Sequence, residues 1–315
     1  MRRDAANPLV SAAHDDHWYS TPSPWQRACR LMYDRAALAL IGRGRGSGVR
    51  QLGRIADILH ACGLQAPSPS DVTALFPSLS GDTAARVARQ IAVLRFKNRA
   101  AVASFHAYGL DQLARLVCDE CAASPPPVIV QRTGGLVLLT FHIGAEFGVA
   151  AAATRWGIPV SPMRVLPADD ANVRARRLKQ AIDTVRSGGM ISAAADGPGG
   201  ASCAPVTCLG RHIILRRGAL VIARLTGVPV VPMIARWTAT GQITTCADEP
   251  LTPGRHGGAD GEQALAAAAA RWLERRLLEH PADIWPYTLR NLLGAPRSSS
   301  EVRRAHEGGI DHQRL

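Results

Sequence analysis

The stretch "GLVLLTFHIGAEFGVA" (Gly135–Ala150) joins an apolar run to a polar pair and then to small apolar residues. The run reaches His142 almost without interruption, a glycine lies at position 144, and Glu146 follows the histidine by four residues. A continuous apolar strand is typical of a parallel sheet that is covered on both faces. Ligand sites in such sheets lie at the carboxyl ends of the strands. The stretch therefore predicts a central strand that presents a chemical group at its end.

Strands and helices alternate on both sides of this stretch. Further predicted strands are "PVIVQ", "IPVSPMRV", "MISAAAD", "VPVVPMIARW" and "GQITTCADEPL", and helical patterns separate most of them. The alternation predicts an α/β fold with a mostly parallel central sheet flanked by helices, and with an N-terminal helical segment. We expect a flexible N-terminus (1–24), a helical region (25–125), an α/β domain (126–292) and a polar C-terminal tail (293–315).

The composition limits which cellular compartment and which binding partners we expect. The 315 residues carry a formal net charge of +12, which favours acidic partners such as phosphate-bearing molecules, anionic membranes or acidic carrier proteins. Seven cysteines without a secretory leader favour reduced thiols. No run of about 18 apolar residues is present, so we predict no membrane-spanning helix. We expect a cytoplasmic protein, with peripheral contact at the inner face of the cell membrane as an open alternative.

Several function classes find no support in the sequence. There is no G-x-S-x-G nucleophile elbow and no P-loop. Only 5% of the residues are aromatic, and no stacking platform interleaved with basic residues is present, so we expect no nucleic-acid partner. The "CDEC" pair, Cys118 and Cys121, has no second pair at matching spacing, so we expect no metal site and no cofactor.

His142 and Glu146 are the first candidate catalytic pair. If a helix begins near Ile143, the two side chains lie on the same side, one turn apart. A carboxylate beside an imidazole fixes its tautomer and stabilises its protonated form, and such a pair can take a proton from an alcohol or an amine. A capping histidine with an unrelated surface glutamate is the alternative reading.

Two further segments are candidate binding sites. Asp196 opens "DGPGG", whose glycines expose backbone N–H groups that could approach a phosphate or an oxyanion; the alternative is a plain turn. Arg164 follows the strand "IPVSPMR", and more basic residues follow it in the next helix. These residues suit an anion-binding rim, and a solvated helix face is the alternative.

Taken together, the segments resemble the lysophospholipid acyltransferase superfamily, and more closely the bacterial lipid A biosynthesis (lauroyl/myristoyl) acyltransferases. The resemblance spans about residues 70 to 292. It rests on "LFPSLSGDTAARVARQ", "GGLVLLTFHIGAEFG", "GIPVSPMRV", "HPADIWPYTLRNLL" and, above all, the block "SGGMISAAADGPGG…VTCLGRHIILRRGALVIARLTGVPVVPMIARW".

The resemblance implies a glycerolipid acyltransferase-like fold and a fatty acyltransferase. Its histidine, here His142, would be the general base on an acceptor hydroxyl or amine, with Glu146 as the orienting acid. The acyl donor would be a thioester of acyl carrier protein or coenzyme A, and the acceptor a lipid, a sugar or a natural product. Arg164 would contact a phosphate, Asp196 and Gly197 would shape the floor of the site, and Arg211 in "CLGR" would bind substrate.

The chain departs from the family pattern at the catalytic motif. Three residues separate His142 from Glu146, whereas the family has four. If Glu146 does not orient the ring, Asp196 is the next carboxylate to consider. A catalytically impaired member that binds lipid or acyl carrier protein is the alternative function.

Overall fold

The computed structural model describes residues 67–118, 126–157, 160–162, 170–197, 202–251 and 259–294, together with isolated helical positions between 32 and 58. The helices of the continuous segments are α1 (Pro69–Leu75), α2 (Gly81–Tyr108), α3 (Leu110–Ala114), α4 (Pro126–Thr133), α5 (Gly148–Arg155), α6 (Ala171–Arg186), α7 (Gly218–Thr226), α8 (Ala259–Glu279) and α9 (Pro286–Gly294). A 3-10 turn, Pro281–Asp283, links α8 to α9.

Five strands form the central sheet in the order β2-β3-β1-β6-β7. They are β1 (Leu136–Thr140), β2 (Val160–Pro162), β3 (Met190–Ala194), β6 (Val230–Trp237) and β7 (Ile243–Ala247). The first four in this order pair in parallel, and β7 runs antiparallel at the edge beside β6. The prediction of an α/β fold with a mostly parallel sheet flanked by helices is confirmed.

A separate hairpin follows the third strand along the chain. Strands β4 (Cys203–Cys208) and β5 (Arg211–Arg216) pair antiparallel across a two-residue turn. Leu209 and Gly210 in that turn both have positive φ, 51° and 68°. This is the combination that a tight hairpin turn requires, because its twist matches that of the strands. The "CLGR" segment is therefore a hairpin turn.

The core has two halves, one on each face of the sheet. Because successive side chains of a strand point to opposite faces, Val137 and Leu139 join one cluster, and Leu136 and Leu138 join the other. All four are at most 1% exposed. Burial on both faces explains why the strand is apolar at every position rather than at alternate ones.

Helix α2 spans 28 residues and contributes to both halves of the core. Val87 and Ile91 pack in one cluster, and Phe96 and Ala100 pack in the other. Val87, Ile91 and Leu94, which recur at helical spacing, are all buried. The helical region before the sheet thus packs directly on the α/β core, and the domain limits given above stay predictions.

The prediction of a strand at "PVIVQ" is wrong, since the segment lies within α4. Its prolines fall in the first turn of the helix, where no backbone N–H partner is needed and the fixed φ suits the helix. Thr133 Oγ1 donates to the Ile129 carbonyl at 2.8 Å. Short runs of β-branched residues do not override a proline-initiated helical turn here.

Within the described part of the chain, every helix is too short or too polar to cross a bilayer.

Candidate active site

The parallel register of β1 and β3 brings two polar residues together. Thr140, the last residue of β1, pairs with Ala194, the last of β3, 54 positions later. The Ala195 N–H then donates to the Thr140 carbonyl at 2.9 Å, which continues the ladder past both strand ends. His142 and Asp196, also 54 positions apart, each lie two residues beyond the end of their strand. Register alone therefore places this imidazole beside this carboxylate.

The Asp196 carboxylate holds both the ring and the backbone of His142. The distance between His142 Nδ1 and Asp196 Oδ1 is 2.9 Å. The backbone N–H of His142 donates to the same carboxylate, with its nitrogen 3.1 Å from each oxygen. With Nδ1 against a carboxylate, the neutral ring carries its proton on Nδ1 and has its lone pair on Nε2. That tautomer suits a general base acting through Nε2.

Thr288 of α9 completes the contacts of the carboxylate. Its hydroxyl lies 2.8 Å from the His142 carbonyl and 3.1 Å from Asp196 Oδ2. A hydroxyl has one proton, so it donates to one of these acceptors at a time. In either case Thr288 ties α9 to the ends of β1 and β3.

Two aromatic rings and a glycine surround the His142 ring. Trp285 and Tyr287 meet it edge-on, with ring centroids 5.2 and 5.3 Å away. A Cβ added to Gly197 would lie 3.7 Å from His142 Cε1, an ordinary contact distance. The side chains of His142 and Asp196 are 16% and 10% exposed. The ring is therefore packed on several sides but is not sealed into the core.

The pair is electrostatically coupled. Burial disfavours the imidazolium, but the charge and hydrogen bond of Asp196 and the charge of Glu146 outweigh it, so the pKa of His142 is raised. Burial also disfavours the carboxylate, but the charge and hydrogen bonds of His142 and the hydroxyl of Thr288 outweigh it, so the pKa of Asp196 is lowered. Each group thus favours the charged form of the other.

The loop after His142 is not helical. Helix α5 begins only at Gly148, and Phe147 before it has φ 57°. Gly144 has φ 73°, and a Cβ there would overlap the Ala235 carbonyl. The backbone N–H groups of Gly144 and Ala145 donate to the carbonyls of Asp283 and Ala235 at 2.7 and 2.6 Å. The loop therefore bonds to β6 and to the 3-10 turn as well as within itself, and the assumed helix start near Ile143 is wrong.

The Asn98 side chain, in α2, also holds this loop in place through hydrogen bonds. This side chain is buried, at 6% exposed. Nδ2 donates to the Gly144 carbonyl at 2.9 Å, and Oδ1 accepts from the backbone N–H of Glu146 and from Trp237 Nε1, each at 3.0 Å. Trp285 Nε1 also donates to the Gly144 carbonyl, at 2.8 Å. One amide thus links α2, the loop and β6.

The orienting role of Glu146 stays a prediction, and the structure gives Nδ1 of the His142 ring another carboxylate partner. The group at His142 Nδ1 is Asp196, not Glu146. Glu146 lies on the non-helical loop, and its charge helps to raise the pKa of His142. The reasoning from helical spacing fails because Gly144 bends the chain between the two residues.

The other predicted binding residues have different outcomes. Arg164 lies outside the described residues, as do the glycines of "DGPGG" at 199 and 200. Gly197 lies beside the His142 ring. Arg211 is buried, and its guanidinium donates to the carbonyls of Leu293 and Ala74 at 3.4 and 3.3 Å, in the last turns of α9 and α1. Those contacts stabilise two helix ends, and substrate binding by Arg211 stays a prediction.

The cysteine pair and the metal expectation are tested only in part. Cys118 Sγ donates to the Ile243 carbonyl at 3.3 Å, and Cys121 lies outside the described residues. Among the residues with described positions, no three His, Cys, Asp or Glu side chains gather as metal ligands would. Cys208 is a core residue, and burial raises the pKa of its thiol to about 12.

Sequence reasoning missed Asn98 and Thr288. Asn98 offered a signal, because it is a polar residue on the otherwise apolar face of a long helix. Thr288 offered none beyond its place in "WPYT". Both act on His142 or its loop from distant parts of the chain.

Comparisons with known proteins add little to this geometry. No protein-family model and no curated protein matches the chain. A search of solved structures finds a likeness to the crystal structure of the 1-acyl-sn-glycerophosphate (LPA) acyltransferase, PlsC, from Thermotoga maritima. The identity is 14%, the match covers 72% of this chain and 97% of that chain, and the TM-score is 0.35. A likeness of this extent assigns no activity to the chain.

Gly144→Ala should destabilise the protein by about 4 kcal/mol or more, because a backbone carbonyl must move to admit the methyl group. Gly227→Ala is the matched control, since Gly227 has nearly the same φ, 76°, and nothing within 4 Å of an added Cβ. Gly227→Ala should lower the free energy of unfolding only by the strain of an alanine at positive φ, about 1–2 kcal/mol. Equal losses in chemical denaturation would show that the crowding at Ala235 is unimportant.

Asn98→Ala should lower the free energy of unfolding by about 3 kcal/mol, because the part-buried N–H groups of Glu146 and Trp237 lose their acceptor. Ser104→Ala is its control on the same helix. Ser104 is 0% exposed, and its hydroxyl has no hydrogen-bond partner among the described residues. The control should unfold at the wild-type denaturant midpoint, and a comparable loss there would contradict the role of Asn98.

Asp196→Asn should lower the pKa of His142 below the ordinary value of 6.5, because burial remains while the counter-charge is removed. A histidine NMR titration measures this directly. The wild-type advantage in unfolding free energy should be largest between about pH 4 and pH 6.5. It should decline as the pH falls through the lowered Asp196 pKa or rises through the raised His142 pKa. An unchanged His142 titration would refute the coupling.

Proposed function

We propose that the protein is an acyltransferase that moves a fatty acyl group from a thioester to a hydroxyl or amine of an acceptor. One observation carries the proposal: the 2.9 Å contact of His142 Nδ1 with Asp196 Oδ1 at the carboxyl ends of two neighbouring parallel strands. That contact supplies an oriented base at the edge of the sheet where ligands bind. The thioester donor is inferred from the sequence resemblance, which spans about residues 70 to 292.

The proposed reaction is one acyl transfer. His142 Nε2 removes the proton from the acceptor hydroxyl or amine while that atom attacks the thioester carbonyl carbon. A C–O or C–N bond forms, the C–S bond breaks, and the thiolate leaves with the bonding electrons. The imidazolium then returns the proton to the thiolate, which leaves as the free thiol. Asp196 keeps Nδ1–H directed away from the acceptor and stabilises the imidazolium.

In this proposal Asp196, rather than Glu146, is the group that orients the ring. Four hydrogen-bond contacts converge on its carboxylate, from the His142 ring, the His142 backbone and the Thr288 hydroxyl. The negative charge of Glu146 also favours the imidazolium and contributes to the raised pKa of His142. The shorter spacing of the His142–Glu146 motif therefore need not abolish catalysis, which favours an active enzyme over an impaired one that only binds lipid or carrier protein.

The donor and the acceptor are proposed as chemical classes. Acyl carrier protein and acyl-coenzyme A are both anionic, and the net charge of +12 suits either. A lipid acceptor on an anionic membrane surface suits the same charge and would make the enzyme peripheral at the inner face of the cell membrane. A lipid A-type acceptor rests on the resemblance alone, as does a phosphate contact by Arg164.

His142→Ala should lower turnover by about 10²–10⁴-fold, the usual contribution of a general base. The assay measures thiol release from acyl carrier protein and coenzyme A thioesters with a lipid acceptor. Asp196→Asn should show a loss of similar order, whereas Glu146→Gln should keep most of the activity because its carboxylate does not contact Nδ1. In the wild type, kcat/KM should rise with pH through the raised His142 pKa, since only the neutral ring accepts a proton.

Turnover unchanged in His142→Ala would reject the proposed base. A loss in Glu146→Gln as large as that in Asp196→Asn would reject the assignment of Asp196 as the orienting group. The histidine titration separates loss of activity from unfolding in Asp196→Asn and Glu146→Gln, because both variants keep the His142 ring. For His142→Ala, the denaturant midpoint of unfolding makes the same distinction.

A further inference from the structure

A cleft lies on the same edge of the sheet as His142 and Asp196. It has a volume of about 630 Å³, within the range of small-molecule sites. It is lined by one face of α2, by Arg236 and Trp237 of β6, and by the segment 279–283. Neither His142 nor Asp196 lines it, so the cleft is a distinct feature.

Strand order explains the position of the cleft. Strands β3, β1 and β6 are neighbours in the sheet and run parallel. Asp196 follows the end of β3, His142 follows the end of β1, and Arg236 is the second-last residue of β6. These carboxyl ends lie along one edge of the sheet. The Gly144 loop separates the cleft from His142, since the Gly144 N–H bonds to the Asp283 carbonyl at 2.7 Å. The two sites are therefore neighbours that share a wall.

One face of α2 forms the basic wall of the cleft. Its lining residues recur at helical spacing: Arg86, Arg89, Gln90, Val93, Leu94 and Lys97. At a rise of 1.5 Å per residue, the wall is about 16 Å long. Arg86 and Arg89 are exposed, and Lys97 is half-buried. A row of guanidinium groups in a concave wall is the arrangement that binds phosphate oxygens in pairs.

The two acidic residues of the lining do not cancel this charge. The Arg236 guanidinium pairs with Asp283, and Glu279 pairs with Arg276, which is outside the lining, at 2.7 Å. The lining thus has four cationic side chains and two carboxylates, and the charge of Lys97 also acts on Asp283. The cleft thus has an excess of positive charge in a walled space, where it is screened less than on an open surface.

We propose that this cleft binds a phosphate group, carried either by a free small molecule or by a lipid headgroup. Arg86 and Arg89 are the primary contacts in the proposal, with Lys97 deeper in the cleft. Trp237, whose indole N–H is bonded to Asn98 at 3.0 Å, forms part of the floor next to the Gly144 loop. Binding of phosphate here does not depend on acyl transfer at His142.

The test measures thermal unfolding with inorganic phosphate against potassium chloride at equal ionic strength. A ligand that binds only the folded state raises the midpoint. The unfolding midpoint of the wild type should be higher in phosphate than in potassium chloride. The double variant Arg86→Gln/Arg89→Gln should need at least about tenfold more phosphate for half of that increment, because charged hydrogen bonds are lost. The pair Arg86→Lys/Arg89→Lys should be intermediate, since it keeps the charge but loses the forked donors.

The control removes the same charge elsewhere. Arg132 of α4 and Arg271 of α8 are exposed and do not line the cleft, so Arg132→Gln/Arg271→Gln should keep the wild-type response. His142→Ala should keep it too, which separates this proposal from the proposed function. All the glutamine variants replace exposed residues and should unfold at the wild-type midpoint in chloride.

A second arm identifies the source of the phosphate. Flotation with phosphatidylcholine vesicles, with and without phosphatidic acid, asks whether a lipid headgroup is bound. Headgroup-dependent flotation that the cleft variant loses and the control keeps indicates a lipid; a response to free phosphate alone indicates a small molecule. The proposal is overturned if neither arm responds in the wild type, or if the cleft variant and the control respond alike in the arm that does.

Discussion

The parallel register of β1 and β3 is the constraint on which the site depends. Each residue of β1 pairs with the residue 54 positions later in β3, and the same offset joins His142 to Asp196 beyond the strand ends. A slip of one residue in a parallel pair would turn every side chain to the opposite face. Because both faces of β1 are apolar, hydrophobicity alone does not oppose that slip; the close packing of each side chain in its own half of the core does. The apolar core thus fixes the geometry of the polar pair.

Burying this pair has an electrostatic cost that the surrounding contacts offset. A carboxylate taken out of water is disfavoured unless donors and an opposite charge replace its hydration. Asp196 has the His142 ring, the His142 N–H and the Thr288 hydroxyl for this purpose. The resulting pKa shifts run in opposite directions for the two residues. Pairs of this kind concentrate at functional sites more than in structural cores, which is why the proposed function starts from this pair.

The Gly144 loop connects the two features at the edge of the sheet. Its backbone bonds to β6, to the 3-10 turn and to Asn98, so it has few ways to relax. On one side it carries His142, and on the other it forms the boundary of the basic cleft through Asp283. A ligand that changes the position of Asp283 or Trp237 therefore acts on the same loop that holds His142. The two features therefore share one segment of backbone.

The sequence by itself determined the alternation of strands and helices, the burial of β1 on both faces and the place of His142 near the end of that strand. These features depend on the hydrophobicity and spacing of neighbouring residues, which are local properties of the chain. Tertiary structure alone decided that Asp196 rather than Glu146 meets His142 Nδ1, that Asn98 fastens the loop, and that Arg236 and α2 enclose a basic cleft. Those outcomes depend on strand order, on register and on the positive φ of Gly144, which join residues that are far apart in the chain.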